Sequence, residues 1–282
     1  MRKWLIAIAM VVGLMAFPAL GGFAASSTTV TVLPSDVGTS WFSGPPADTR
    51  TGGAVSFVSG PVTPPLGIGS LQMTTTDAYD ITSPNTPYSN AKAQLFNYSY
   101  EGTKLSDITA LSYSDYRSSA STNSAVQRVG LNVEVHVGGD GPNFTTLVFE
   151  PDYQSGGAGA LQTDTWQLWD AIDSGNGVWW STHALPDITP AYFTWTTLLN
   201  AYPDATISGG LGFNVGSGWV GQFSGNADAL AVGVSGNTTV YDFEPALTPT
   251  NKDQCKNGGW QQFNSPSFTN QGDCIQFVNT GK

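Results

Sequence analysis

The 282-residue chain carries 21 acidic against 10 basic groups, a formal net charge of −11, while charged residues make up only 11% of it. That balance excludes nucleic acid and anionic membranes as partners, because a phosphate surface is held by clustered Lys and Arg that release its counterions. The exterior must therefore be built largely from Ser, Thr, Asn, Gly and Gln, as in many extracellular all-β proteins.

Residues 1–24 read as a secretory signal peptide. Met1-Arg2-Lys3 is followed by an apolar run from Trp4 to Leu20, and Gly22 and Ala24 supply the small residues before a cleavage point. The run is short for a bilayer span and is followed by Ser and Thr rather than positive charge. The expected product is secreted, extracellular and free of the membrane. Losing Arg2 and Lys3 would take its formal charge from −11 to −13.

Residues 25–50 read as a Ser/Thr/Pro/Gly-rich lead-in with one short strand at 28–33. The main domain is expected over 51–246. Its β-type runs fall at 54–59, 70–75, 93–100, 108–117, 130–137, 144–150, 163–170, 177–182, 206–215, 229–234 and 238–243. Glycine-rich turns at 138–141, 155–157, 175–177 and 235–237 separate several of them. Many short strands with such turns predict an all-β, antiparallel β-sandwich of jelly-roll type. Trp195, Leu198, Leu199 and Tyr202 instead follow the helical period, and Pro203 ends the run, so one short helix is expected there.

Residues 247–282 read as a linker and a small tail. Cys255 and Cys274 are the only cysteines, and in an oxidising compartment they are expected to form a disulfide that closes this tail. No histidine stands near them to complete a metal site.

Alternation within the strands separates candidate faces. Over 130–137, Leu131, Val133, Val135 and Val137 point one way, and Asn132, Glu134 and His136 point the other. Trp166, Trp169, Trp179 and Trp180 cluster in a short stretch. Trp179 and Trp180 are strand neighbours, so at least one should leave the core. Indoles stack on the apolar faces of sugars, whose hydroxyls bond to amides and carboxylates. Trp169, Trp179, Trp180, Asn132, Tyr113 and Arg117 are therefore the candidate ligand-binding residues. Core packing is the plainer role for most of the indoles.

Should the chain be an enzyme, Glu134 and Glu150 are the best carboxylate pair for glycoside hydrolysis. His136, with Asn132, Tyr113 and Arg117, would supply a lyase with base and neutralisers. A structural calcium is a further expectation, with Asp48, Asp228 and Asp242 as ligands.

Two stretches carry resemblances. The tail, Lys252-Asp253-Gln254-Cys255-Lys256-Asn257-Gly258-Gly259-Trp260 followed by Asn270-Gln271-Gly272-Asp273-Cys274, resembles a short C-terminal cysteine motif of many secreted bacterial proteins. That resemblance implies a bacterial, extracytoplasmic protein. The entry Pro64-Pro65-Leu66-Gly67-Ile68-Gly69-Ser70-Leu71 and the closing runs 228–234 and 239–245 are similar to jelly-roll domains of the carbohydrate-binding-module and concanavalin-like kind. This second resemblance implies a sandwich fold; fold alone does not give function. The leading expectation is non-catalytic binding of an extracellular or cell-envelope polysaccharide. A polysaccharide lyase or glycoside hydrolase comes second, and a structural surface protein without a small ligand third.

Overall fold

The computed structural model describes residues 26–77, 90–138, 143–153, 161–172 and 177–282. The expected signal segment lies outside the described residues, as do most of the turns expected at 138–141, 155–157 and 175–177.

In chain order the first strands are β1 (Ser26–Val32), β2 (Trp41–Phe42), β3 (Gly53–Ser59), β4 (Gly69–Thr75), β5 (Lys92–Asn97), β6 (Ile108–Arg117) and β7 (Gly130–His136). Then come β8 (Thr145–Phe149), β9 (Trp166–Asp170), β10 (Val178–Ser181), β11 (Phe193–Thr194), helix α1 (Trp195–Ala201), β12 (Thr206–Gly216), β13 (Phe223–Val234), β14 (Asn237–Phe243) and helix α2 (Gln271–Thr280). Among the described residues two seven-stranded sheets form. The first runs β1-β14-β13-β4-β3, with β6 and β9 joined through the other edge of β13; the second runs β11-β10-β8-β7-β12-β5-β2. Strand pairing is antiparallel except for β1 with β14. This is the antiparallel sandwich that the turn spacing predicted. The lead-in belongs to it, since β1 and β2 join one sheet each.

The core follows the period-two pattern. Leu71, Met73, Leu111, Val232 and Phe243 from the first sheet meet Leu95, Leu131, Val133, Val135, Leu147 and Phe213 from the second, all fully or almost fully buried. Aromatic rings bridge the layers: Tyr113 packs on Phe213 at 5.3 Å and edge-on against Phe149 at 6.2 Å, and Trp41 packs on Phe243 at 5.2 Å. Helix α1 begins where Thr194 accepts the N–H of Thr197, and it docks through Trp195 on Trp179 at 5.3 Å.

Four expected ligand residues belong to this interior. Tyr113 is fully buried and donates its hydroxyl to the carbonyl of Val129 at 2.6 Å. Trp179 is fully buried and donates its indole N–H to the carbonyl of Ala171. Trp169 stands opposite Tyr113 across β6 and β9, so it shares the inward face, and its N–H reaches Asp115 Oδ1 at 2.6 Å. Arg117 has the same inward parity as Tyr113 and Asp115. Its terminal nitrogens donate to Asn123 and to the carbonyl of Gln127, while its buried Nε has no hydrogen-bond partner among the described residues. The inward stripe of β6 thus turns from apolar to charged along its length while keeping its direction.

The tail holds a second, separate cluster around the Cys255–Cys274 disulfide, with Phe263 buried and Trp260, Phe268, Ile275 and Val278 packed against it. The sequence reading expected one helix; α2 is the addition, started by Asn270 accepting the N–H of Asp273. No helix among the described residues is long and apolar enough to cross a membrane.

Candidate functional site

The outward residues of the second sheet build a groove of about 420 Å³. Strand register defines its floor as a grid. One row carries Gln94, Asn214 and Gly130 on β5, β12 and β7. The next carries Asn132, Val148 and Trp180 on β7, β8 and β10. A third carries Glu134 opposite Thr146. Glu150 follows Phe149, which pairs with Leu131, so it stands over Gly130 in the first row. An added Cβ at Gly130 would lie 3.7 Å from Glu150 Cγ, and glycine keeps this part of the floor low. Phe144, Trp219, Ser217 and Asp48 complete the walls.

Glu134 is held by a bulge. The register of β12 against β7 shifts between Ile207 and Leu211, and the freed N–H of Gly210 donates to Glu134 Oε2 at 2.7 Å. A Cβ at Gly209 would meet that oxygen at 2.3 Å, so a larger residue there would displace the carboxylate. Glu150 accepts the indole N–H of Trp180 at 2.9 Å. Burial raises the pKa of both carboxyls, opposed by Gly210 and Lys92 at Glu134 and by Trp180 at Glu150.

Asp48 behaves oppositely. Burial alone would raise it, but Arg50 and Lys92 outweigh that and hold it below the usual carboxylate range. Lys92 Nζ sits 3.2 Å from Asp48 Oδ2. Gln94 accepts the N–H of Asp48 and donates to Asn214. Asn132 is only 5% exposed, and its Oδ1 has no hydrogen-bond partner. It is a buried acceptor on the groove floor between the two glutamates.

The register sets the two carboxylate-bearing positions far apart along the strands. Glu134 and the position facing Glu150 are four residues apart on β7, about 13 Å at ~3.3 Å per residue. Glycosidases hold their carboxyls roughly 5–9.5 Å apart. Here the side chains also turn away from each other, Glu134 toward β12 and Glu150 toward β10. His136 lies beyond the groove lining, with its Nδ1 2.9 Å from the carbonyl of Asn143. With Tyr113 and Arg117 inside the sandwich, the expected lyase set does not converge either.

The expected calcium ligands are likewise separated in role. Asp48 belongs to the groove. Asp228 accepts the N–H groups of Leu66 and Phe243, and Asp242 stands beside Glu244, which accepts those of Ile68 and Gly69. Burial pushes Asp228 up to about 7 and Asp242 up to about 6. Asp228 and Glu244 thus satisfy N–H groups of the 64–69 loop, whereas the buried Oδ1 of Asp242 has no hydrogen-bond partner among the described residues. Among the described residues no group of three His, Cys, Asp or Glu could hold a metal ion.

Of the expected residues, the groove therefore gathers Asn132, Glu134, Glu150, Trp180 and Asp48. Sequence reasoning missed Gln94 and Asn214, although each alternates with core residues in an expected strand, and Lys92, which immediately precedes the strand expected at 93–100. Trp219 follows β12 in a loop, where no period marks it.

The raised glutamates give a stability test. A carboxyl whose pKa folding raises binds its proton more tightly in the folded state. It weakens the fold above its raised value, and the cost is relieved as pH falls through that value toward the unfolded one. Glu150→Gln keeps an oxygen for Trp180 and removes the buried charge. Thermal melts should show it more stable than the parent at neutral pH, with the gain vanishing toward about pH 4, near the ordinary glutamate range. A gain of equal size at both pH values would rule out a charge effect.

Fold and groove together define a two-sheet β-sandwich with a polar, indole-walled cleft on one outer face. No known protein family, curated protein or solved structure matches the chain.

Proposed function

We propose that this chain is an exported, non-catalytic glycan-binding sandwich that takes its polysaccharide along the outer face of the second sheet. The observation that carries the reading is the pairing, in one groove, of half-buried indoles with amide and carboxylate acceptors. A sugar offers an apolar face to Trp180 and Trp219 and hydroxyl donors to Asn132, Glu134 and Glu150. The unpartnered Oδ1 of Asn132 supports this in particular: it is sealed from solvent as it stands, and turning the amide brings it to the groove, where a ligand supplies the donor it lacks.

Export is supported by the charge, apolar run and small-residue order of residues 1–24, and by the disulfide, which suits an oxidising compartment. The groove counts against a purely structural role, which needs no concave polar surface. The raised glutamates alone favour hydrolysis, and their separation counts against it.

Retention of the mature protein on a panel of soluble and insoluble polysaccharides tests the reading. Trp180→Ala should weaken binding by about 2 kcal/mol, roughly thirtyfold in Kd, as expected for a central indole anchor. Part of that loss would come from leaving Glu150 without its N–H donor. Retention on no glycan, or release of new reducing ends that Glu134→Gln abolishes, would overturn the proposal.

A further inference from the structure

The charge of the groove narrows its ligand. Three carboxylates, Asp48, Glu134 and Glu150, line it against one ammonium, Lys92. Lys92 is already committed to Asp48, which Arg50 also binds. Among the described residues no ion pair is made by Glu134 or Glu150. Among the described residues Glu150 has only the neutral N–H of Trp180 as side-chain donor, and the charge acting on it is that of Asp152, also negative. Asn132 lies between the two glutamates, nine-tenths buried, with its oxygen unpartnered. The floor is thus a row of acceptors, two of them partly desolvated anions, with no cation of their own to balance Glu150.

A neutral sugar would satisfy the Asn132 oxygen with a hydroxyl and leave the charge of Glu150 uncompensated. A uronic acid would add a like charge to a groove that already carries an excess of them. A protonated amine supplies both charge and donors, and charge-assisted hydrogen bonds are about twice as strong as neutral ones. Trp180 meanwhile offers its ring to the apolar face of the same sugar.

Resting on the glycan-binding reading, we infer that the groove selects glycans whose sugars carry free amines, that is, de-N-acetylated hexosamine chains. The ammonium is held at Glu150, and a neighbouring hydroxyl or amine donates to Asn132 Oδ1.

The test is calorimetric titration of the whole secreted chain with three soluble oligomers of equal length: glucosamine, N-acetylglucosamine and glucose. Oligomers of galacturonic acid serve as a fourth arm. The glucosamine oligomer should bind about tenfold or more tightly than the acetylated one, and the preference should shrink as salt is added. In Glu150→Gln the ratio between them should fall toward one. The uronate oligomer should not bind.

Equal affinity for the amine and its acetylated form overturns the amine selection and leaves glycan binding standing. So does an amine preference indifferent to Glu150→Gln. Binding of none of the oligomers, nor of the polysaccharide panel, overturns the glycan reading itself. The acetylation and salt arms use the unaltered protein, so the inference stays testable even if the variant folds poorly.

Discussion

Arg128→Met should cost the fold about 3–5 kcal/mol, the largest loss expected from any polar residue here, because it strands a buried carboxylate. Arg128 and Asp115 have fully buried side chains joined by two hydrogen bonds, Nε to Oδ2 at 2.8 Å and one terminal nitrogen to Oδ1 at 3.0 Å. The second terminal nitrogen donates to the carbonyl of Gln162, and the guanidinium lies 5.8 Å from the centre of the Trp169 ring. Burial pushes the Asp115 carboxyl up, and the donors from Arg128 and Trp169 oppose that push. Remove the guanidinium and only the indole N–H remains. The double variant Asp115→Leu with Arg128→Met should recover most of the loss, since an apolar pair of similar volume avoids desolvating either ion. Urea unfolding of the two variants checks this. A single variant within about 1 kcal/mol of the parent would mean that water reaches Asp115 and that the pair is not sealed.

That network also explains which parts of the molecule could be read from sequence. Alternation assigned the two faces of β7 correctly: Leu131, Val133 and Val135 are buried, while Asn132 and Glu134 line the groove. The adjacency of Trp179 and Trp180 likewise required one indole to leave the core, and Trp180 does. Parity says which residues share a face, however, and not which face is inside. On β6 that ambiguity misled. Tyr113 and Arg117 look like ligand residues by chemistry, but they follow Leu111 inward. Arg117 and Arg128 are tolerated there only because Asn123 and Asp115 meet them, and those partners are brought in by folding rather than by spacing. The first half of β13 escaped for a related reason. Asn226 and Asp228 are buried polar residues that bond to Ser70 and to the Leu66 and Phe243 amides, so no apolar rhythm marked the strand. Helix α2 did leave a signal, since Asn270 with Asp273 three residues on is a helix start, but Gly272 inside the first turn hides it.

Replacing Cys274 with serine, or reducing the disulfide, should unfold the tail and leave the sandwich standing. The bond closes a loop with a sequence separation of 19, which by chain entropy is worth about 3 kcal/mol. The tail has little else to offset that loss. Its apolar cluster is small and distinct from the sandwich core, with only Cys255, Cys274 and Phe263 buried in it. Among the described residues its hydrogen bonds toward the body reach only the connecting segment, where Asn264 accepts the N–H of Leu247 and donates to the carbonyl of Pro245. Two units with separate cores joined this way open independently. Under protease the serine variant should lose the segment beyond about residue 247 while a resistant sandwich persists. Its main thermal transition should stay within a few degrees of the parent, and glycan retention through Trp180 should be kept. A parallel fall of the main transition would show instead that the cystine braces the sandwich. The tail would then be part of the domain that carries the groove rather than an appendage to it.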